Sequence, residues 1–148
     1  MVININNIIY DSIVDGPGLR MVIFMQGCTH HCFNCHNPTT HELKAHNLMS
    51  INELIEMIKN NNHTKNITIS GGEPFLQYPA LLCLLKQLKN YHIWVYTGYT
   101  KQELINLNYD EIFNYINVLI DGRYHDELKS LNIPFIGSTN QKIHYFKK

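Results

Sequence analysis

The sequence predicts an α/β fold organised around a mostly parallel sheet of about five strands. Three observations carry that reading: apolar, β-rich runs that each stop at a glycine, helical periodicity between the runs, and strands that are apolar throughout rather than alternating. Near-continuous apolar strands belong to sheets covered on both faces, as parallel sheets are.

The first run, Met21 to Met25, precedes Gly27. Ser50 with Glu53 three residues on reads as a capping box, and Ile51, Leu54, Ile55 and Ile58 then form one helical face. Ile67 to Ile69 is the second strand, ending before Gly71. A second helix is expected after Pro79, burying Leu81, Leu82, Leu84, Leu85 and Leu88. Ile93 to Tyr96 leads to Gly98, and Thr100 with Glu103 starts a third helix. Asn108 with Glu111 starts a fourth, Val118 to Ile120 runs to Gly122, and Pro134 to Ile136 runs to Gly137 as the fifth strand. Strand and helix in alternation mean βα units with right-handed crossovers.

Composition narrows the functions. The 148 residues carry 12 Lys plus Arg against 12 Asp plus Glu, with no basic run. A nucleic-acid polymer or an anionic membrane surface is therefore not the expected partner. The chain reads as one domain, residues 1–148, too short for a closed eight-fold barrel, which needs about 200 residues or more. No secretory leader or apolar span is recognisable, so a cytoplasmic location is expected.

In such a sheet ligands bind at the carboxyl ends of the strands, and the notable residues all stand there. Cys28 follows the first strand, Gly71-Gly72-Glu73 the second, Thr97-Gly98-Tyr99 the third, Asp121-Gly122 the fourth and Gly137-Ser138-Thr139-Asn140 the fifth. Cys28, Cys32 and Cys35 lie within eight residues. Three thiols cannot pair among themselves, so in a reducing compartment the cluster reads as a metal or catalytic site. Two metal readings stay open. Three cysteines can hold a 4Fe-4S cluster with one iron left free, or, with His30, His31 or His36, a Cys3His zinc site. Cys83, among the leucines of the second helix, reads as a small buried hydrophobe. His30 and His31 read as plain loop histidines, with a hydrogen bond to cluster sulfur as the alternative. Arg20 and Arg123, the two arginines among ten lysines, fall beside motif glycines. Recognition of a carboxylate or phosphate is one reading of them, and a surface ion pair the other.

Cys28-x3-Cys32-x2-Cys35 after one strand and Gly71-Gly72-Glu73-Pro74 after the next resemble the radical S-adenosylmethionine superfamily. Asp15-Gly16-Pro17-Gly18-x-Arg20, Gln26-Gly27-Cys28, His36-Asn37-Pro38, Ser70 to Pro74, Thr97-Gly98-Tyr99, Asp121-Gly122 and Gly137-Ser138-Thr139-Asn140-Gln141 are closer still to the anaerobic ribonucleoside-triphosphate reductase activating proteins. Two positions depart from that pattern: Asn34 stands where an aromatic residue often precedes the last cysteine, and Lys142 where arginine usually follows Asn-Gln.

The resemblance implies an open partial (βα) barrel. It implies a 4Fe-4S cluster held by Cys28, Cys32 and Cys35, whose open iron chelates S-adenosylmethionine. Reductive cleavage then gives a 5′-deoxyadenosyl radical, which takes hydrogen from a glycine on the large anaerobic ribonucleotide reductase subunit, with a flavodoxin-like protein as electron donor. Asn34, Gly71, Gly72, Glu73, Thr97, Asp121 and Asn140 are the implied cofactor contacts. Gly71 and Gly72 would let backbone approach the methionine portion, and Glu73 would meet its ammonium or the local backbone. An activator of another glycyl radical enzyme of pyruvate formate-lyase type, another small radical enzyme, and a non-catalytic zinc or iron-sulfur module remain as alternatives.

Overall fold

The structure is a computed structural model that describes residues 1–148. Four of the expected runs are strands lying side by side in parallel: β2 (Arg20–Met25), β4 (Asn66–Gly71), β5 (His92–Tyr96) and β6 (Val118–Asp121). They form the middle of a seven-stranded sheet. Its remaining strands are β1 (Val2–Ser12), β3 (Asn47–Ser50) and β7 (Lys142–Tyr145), in the order β3-β1-β2-β4-β5-β6-β7. β1 is antiparallel to both its neighbours, and β7 is antiparallel to β6. The architecture is the expected open α/β partial barrel with two more strands than expected.

The two faces of the sheet differ in chemistry. Ile23, Ile69, Val95 and Leu119 share one face with Ile3, Ile5, Met21, Met25, Ile67 and Ile93, and pack there into a 25-residue core with helices α1 (Ile51–Asn60) and α2 (Tyr78–Lys86). The alternate positions make the other face. They fall into rows across the parallel strands, Val22, Thr68, Trp94 and Val118 in one and Phe24, Ser70, Tyr96 and Ile120 in the next. Loops rather than helices cover this second face, with Phe135 and Ile136 packed against Trp94, Val118 and Ile120. Burial on both sides is why the strands read as continuous apolar runs.

The helices start where their caps say. Ser50 Oγ accepts from the Glu53 amide at 3.0 Å, and Ile51, Leu54, Ile55 and Ile58 are the buried face of α1. α2 opens at Tyr78 with Pro79 in its first turn; Leu81, Leu84, Leu85 and Leu88 are fully buried and Leu82 half-buried. The short helix α3 (Lys101–Asn106) carries a complete capping box between Thr100 and Glu103.

Two expected elements are absent. Pro134 to Ile136 is a turn, because Phe135 sits at φ +70°, outside extended backbone, and Pro134 has no amide to donate to a ladder. The outer partner of β6 is β7 instead. The fourth helix is a 3-10 segment, Asp110–Asn114, which follows the left-handed Asn108 at φ +61°. No helix is long and apolar enough to cross a membrane.

Candidate metal and cofactor site

The loop after β2 is pinned at its root. The Gly27 amide donates to Thr40 O at 2.6 Å, the Cys28 amide to His41 O at 3.2 Å, and Gly27 O accepts from the Glu73 amide at 2.7 Å. Beyond that root the chain curls twice through left-handed residues, His31 at φ 52° and Asn34 at φ 55°. The Cys35 amide bonds Cys32 O at 3.2 Å between them. This brings Cys28, Cys32 and Cys35 to one cavity of about 120 Å³, walled by Ser70, Gly71, Gly72, Tyr96, Thr97 and Gly98. All four cysteines are free thiols, and Cys83 lies apart, half-buried on α2. A second chamber of about 480 Å³ adjoins the cysteine cavity and shares Cys35, Ser70, Gly71, Tyr96, Tyr124 and Gln141 with it. Its own walls include Val14, Asp15, Phe24, Phe135 and Ile136.

Glu73 is the hub of the site. It is completely buried, and a buried carboxylate needs several donors to stay charged. Its Oε1 meets His30 Nε2 at 2.8 Å and the Gly98 amide at 2.7 Å, its Oε2 the Phe75 amide at 2.9 Å, and Thr97 Oγ1 stands 2.9 Å from both oxygens. The carboxylate thus ties the ends of β4 and β5 to the cysteine loop. The bond to local backbone, one of the two roles implied for it, is present. His30 is not a plain loop histidine: its side chain is 6% exposed and its ring stands edge-on to Tyr99 at 4.7 Å. Gly98 leaves room for that ring, since a Cβ there would come 2.4 Å from His30 Cδ2.

The glycine pair serves a close chain crossing. A Cβ on Gly72 would stand 2.2 Å from Gly27 O, and one on Gly71 would stand 2.3 Å from the Met25 amide nitrogen. Both missing side chains point at neighbouring backbone, although both residues also line the cysteine cavity.

Other expected contacts stand elsewhere. Asp121 and Asn140 line a separate polar cleft of about 590 Å³, shared with Lys101, Arg123, Lys142 and His144. Asp121 Oδ2 accepts from the Lys101 amide at 2.7 Å and lies 3.0 Å from His144 Nε2. Asn140 is spent on the chain, accepting from Ser138 Oγ at 2.6 Å and donating to Arg123 O at 2.8 Å. Only Gly122 borders both this cleft and the cysteine cavity. Asn34 is exposed at the loop tip and lines neither cavity, and Lys142 is exposed on β7.

The arginines divide. Arg123 makes the ion pair, held by Glu103 at 2.9 and 3.3 Å with both side chains about two-fifths exposed. Arg20 makes no ion pair. It is fully buried and donates to Thr68 Oγ1, Pro17 O, Ile67 O and His92 O at 2.8 to 3.1 Å. Burial lowers its pKa to about 10. Gly16 stands against it, where a Cβ would lie 2.7 Å from Arg20 Cδ, so the Asp15-to-Arg20 motif is a wrapped guanidinium.

Electrostatics at the thiols suit a cationic cluster. Burial, and then the fields of Glu73, Cys35 and Cys32, push the Cys28 thiol up against one bond from the His30 backbone that lowers it. Three thiolates around one cavity repel until metal neutralises them. Three thiols lining one cavity are the donor set of a 4Fe-4S cluster that keeps one iron open. Sequence reading gave no role to Tyr96 or Tyr124 in these walls, and carried Ser70 only as the first residue of the Ser70-to-Pro74 motif. Tyr96 had a signal, standing directly before Thr97-Gly98 at a strand end.

Residues 14–144 match the family described as a 4Fe-4S single cluster domain. The chain is 34% identical over 145 residues to an anaerobic ribonucleoside-triphosphate reductase-activating protein of Salmonella typhi, covering 91% of this chain and 94% of that one. It is 32% identical to the protein of the same name from Escherichia coli K12, with the same coverage. To that of Enterobacteria phage T4 it is 30% identical, covering 88% and 86%. In fold it is similar to the crystal structure of QueE from Escherichia coli, with a TM-score of 0.56 and 22% identity over 67% of this chain and 53% of that one. With a cysteine-lined cavity at the strand ends and relatives of this similarity along nearly its whole length, the chain belongs to the family of anaerobic ribonucleoside-triphosphate reductase-activating proteins.

Proposed function

We propose that this chain generates a glycyl radical on an anaerobic ribonucleoside-triphosphate reductase, through reductive cleavage of S-adenosylmethionine at a 4Fe-4S cluster held by Cys28, Cys32 and Cys35. The observation that carries the reading is the pair of adjoining cavities. One is lined by all three thiols, and the other, at about 480 Å³, falls in the range of small-ligand sites, roughly 300–1,000 Å³. When bound, the cluster supplies the electron that breaks the sulfonium bond, and the organic radical so released takes hydrogen from a glycine of the partner.

The residues of the chain supply place and exclusion. Glu73, with Thr97 and His30, fixes the cysteine loop against the strand ends, so the three sulfurs are held before metal arrives. Gly71, Gly72 and Ser70 form the wall a bound cofactor meets. Asp121 and Asn140 brace β6 and the last loop from the far side of Gly122, and Asn34 enters as a turn former. The half-buried chamber walls Phe24, Phe135 and Ile136 give a reactive species apolar surroundings.

We take residues 1–148 as one domain, since a single sheet runs from Val2 to Tyr145. Unpaired thiols suit a reducing compartment, and we place the chain in the cytoplasm with a flavodoxin-like donor. Anaerobic reconstitution with iron and sulfide, followed by S-adenosylmethionine and a cognate reductase, tests the function. A glycyl radical doublet in the electron paramagnetic resonance spectrum is the expected result. A colourless protein binding one zinc, or cofactor cleavage with no radical on the reductase, overturns it.

A further inference from the structure

The two cavities meet at six residues: Cys35, Ser70, Gly71, Tyr96, Tyr124 and Gln141. Anything that spans both cavities passes these six, and most of them have nothing left to offer it. Gly71 has no side chain, and Cys35 is assigned to the cluster. The Tyr124 hydroxyl is spent on Asp126 Oδ1 at 2.7 Å. The Gln141 amide is spent at both ends, on the Gly137 and Ser138 amides and on Gly122 O. Two hydroxyls remain without a protein partner, those of Ser70 and Tyr96. Neither is among the buried polar atoms that make no hydrogen bond, which are Tyr78 Oη, Trp94 Nε1 and, despite its approach to Asp121, His144 Nε2. Both therefore open to the cavities.

Their placement comes from strand register. Ser70 on β4 pairs with Phe24, Tyr96 on β5 pairs with Ile120, and Ile69 pairs with Val95 just below. One row across the sheet thus reads Phe24, Ser70, Tyr96, Ile120, two adjacent hydroxyls between apolar flanks. In the row beneath, the Thr68 hydroxyl is already committed to Arg20 and to Asp15 O. Burial and the Asp15 carboxylate push the Tyr96 phenol well above its ordinary range, so it stays a neutral donor at any working pH.

We propose that the Ser70 and Tyr96 hydroxyls are the positioning pair that holds the oxygen-bearing middle of the nucleoside cofactor at the junction of the two cavities. This rests on the function proposed above. The cofactor's amino-acid end then lies toward the cysteines and its base in the larger chamber, and the pair sets the point along the ligand at which the reacting carbon stops.

The test is a binding cycle on the reconstituted protein. The probes are S-adenosylhomocysteine and its 2′,3′-dideoxy analogue, with Kd measured by isothermal titration calorimetry. Tyr96→Phe and Ser70→Ala are each expected to weaken the first ligand about tenfold and the analogue less than twofold. The cluster absorbance and Tm are expected to stay at their wild-type values. Equal weakening toward both ligands would mean a structural role and overturn the assignment, as would no weakening at all. If the reconstituted wild-type protein binds neither ligand, the function reading itself fails and takes this assignment with it. Tight wild-type binding with unaltered variants removes the pair alone.

Discussion

Replacing Glu73 by glutamine separates a structural carboxylate from a ligand-facing one. The carboxylate accepts from two backbone amides, the Thr97 hydroxyl and His30, in a fully buried setting. In the glutamine variant one oxygen becomes an NH2 group, which must face either the Gly98 amide or the Phe75 amide, donor against donor. A buried donor left unmatched costs about 1–3 kcal/mol, and hydrogen bonds to a charged group contribute about 1.5–3 kcal/mol each. One orphaned amide together with the weakening of the remaining bonds gives a loss of about 3–5 kcal/mol. For a domain of this length about 1 kcal/mol moves Tm by roughly 2–4 °C, so a fall of roughly 6–20 °C is expected. Circular dichroism melts of the wild type and Glu73→Gln, each before and after cluster reconstitution, give the measurement. A Tm within about 2 °C of wild type, with weakened S-adenosylmethionine binding, would refute the reasoning and return Glu73 to the ligand.

Cys28→Ala, Cys32→Ala and Cys35→Ala should each abolish cluster assembly and cofactor cleavage, whereas Cys83→Ala should keep the iron content and absorbance of the wild type; equal loss in all four would overturn the ligand assignment. Gly72→Ala should destabilise the fold by more than about 2 kcal/mol, because its Cβ meets the fixed carbonyl of Gly27 at 2.2 Å; an unchanged denaturant midpoint would show that the crossing can open. His92 should make stability fall in acid. Burial first, and then Arg20, hold its pKa below the ordinary 6.5, and Arg20 Nη2 donates to its Nδ1 at 3.2 Å, which requires that nitrogen unprotonated. The unfolded chain then binds the proton more readily, so this contribution is fully present above pH 6.5 and is lost as the pH falls toward the depressed folded value. Urea midpoints at neutral pH and about one unit below 6.5 should therefore differ less in His92→Gln than in the wild type.

The parallel centre of the sheet could be read from the chain because β2, β4, β5 and β6 are covered on both faces and so spell continuous apolar runs. The outer strands could not. β1 spells Asn and Ile in mixture, with Ile3 and Ile5 buried but Asn7, Ile9 and Tyr10 exposed, and β7 offers only Lys142 to Tyr145 at an edge. Pro134 to Ile136 had a strand's composition, but the left-handed Phe135 undoes it, a backbone angle that composition does not encode. The three cysteines were legible from spacing. His30 was not, because its partner Glu73 lies 43 residues away and the pair forms only where Gly98 leaves space for the ring. Ser70 stood in a legible motif and Tyr96 in a legible strand, but their pairing stayed hidden for a related reason: one hydroxyl gains meaning only when register sets it beside the other.

The wrapped guanidinium of Arg20 changes what electroneutrality means for this molecule. Twelve positive and twelve negative side chains sum to zero, but the sum mixes two populations. Pairs such as Arg123 with Glu103, Lys86 with Glu111 and Lys44 with Glu42 sit at the surface, where salt at physiological strength mutes them within about 8 Å. Arg20 is sealed beneath the loop-covered face, neutralised by carbonyl dipoles and not by any carboxylate, on the same side of the sheet as Phe24 and two strand repeats below it. Dissolved ions cannot reach it. The charge beneath the chamber is therefore one whose partners a change of medium leaves standing, while the ion pairs on the outside weaken as salt rises.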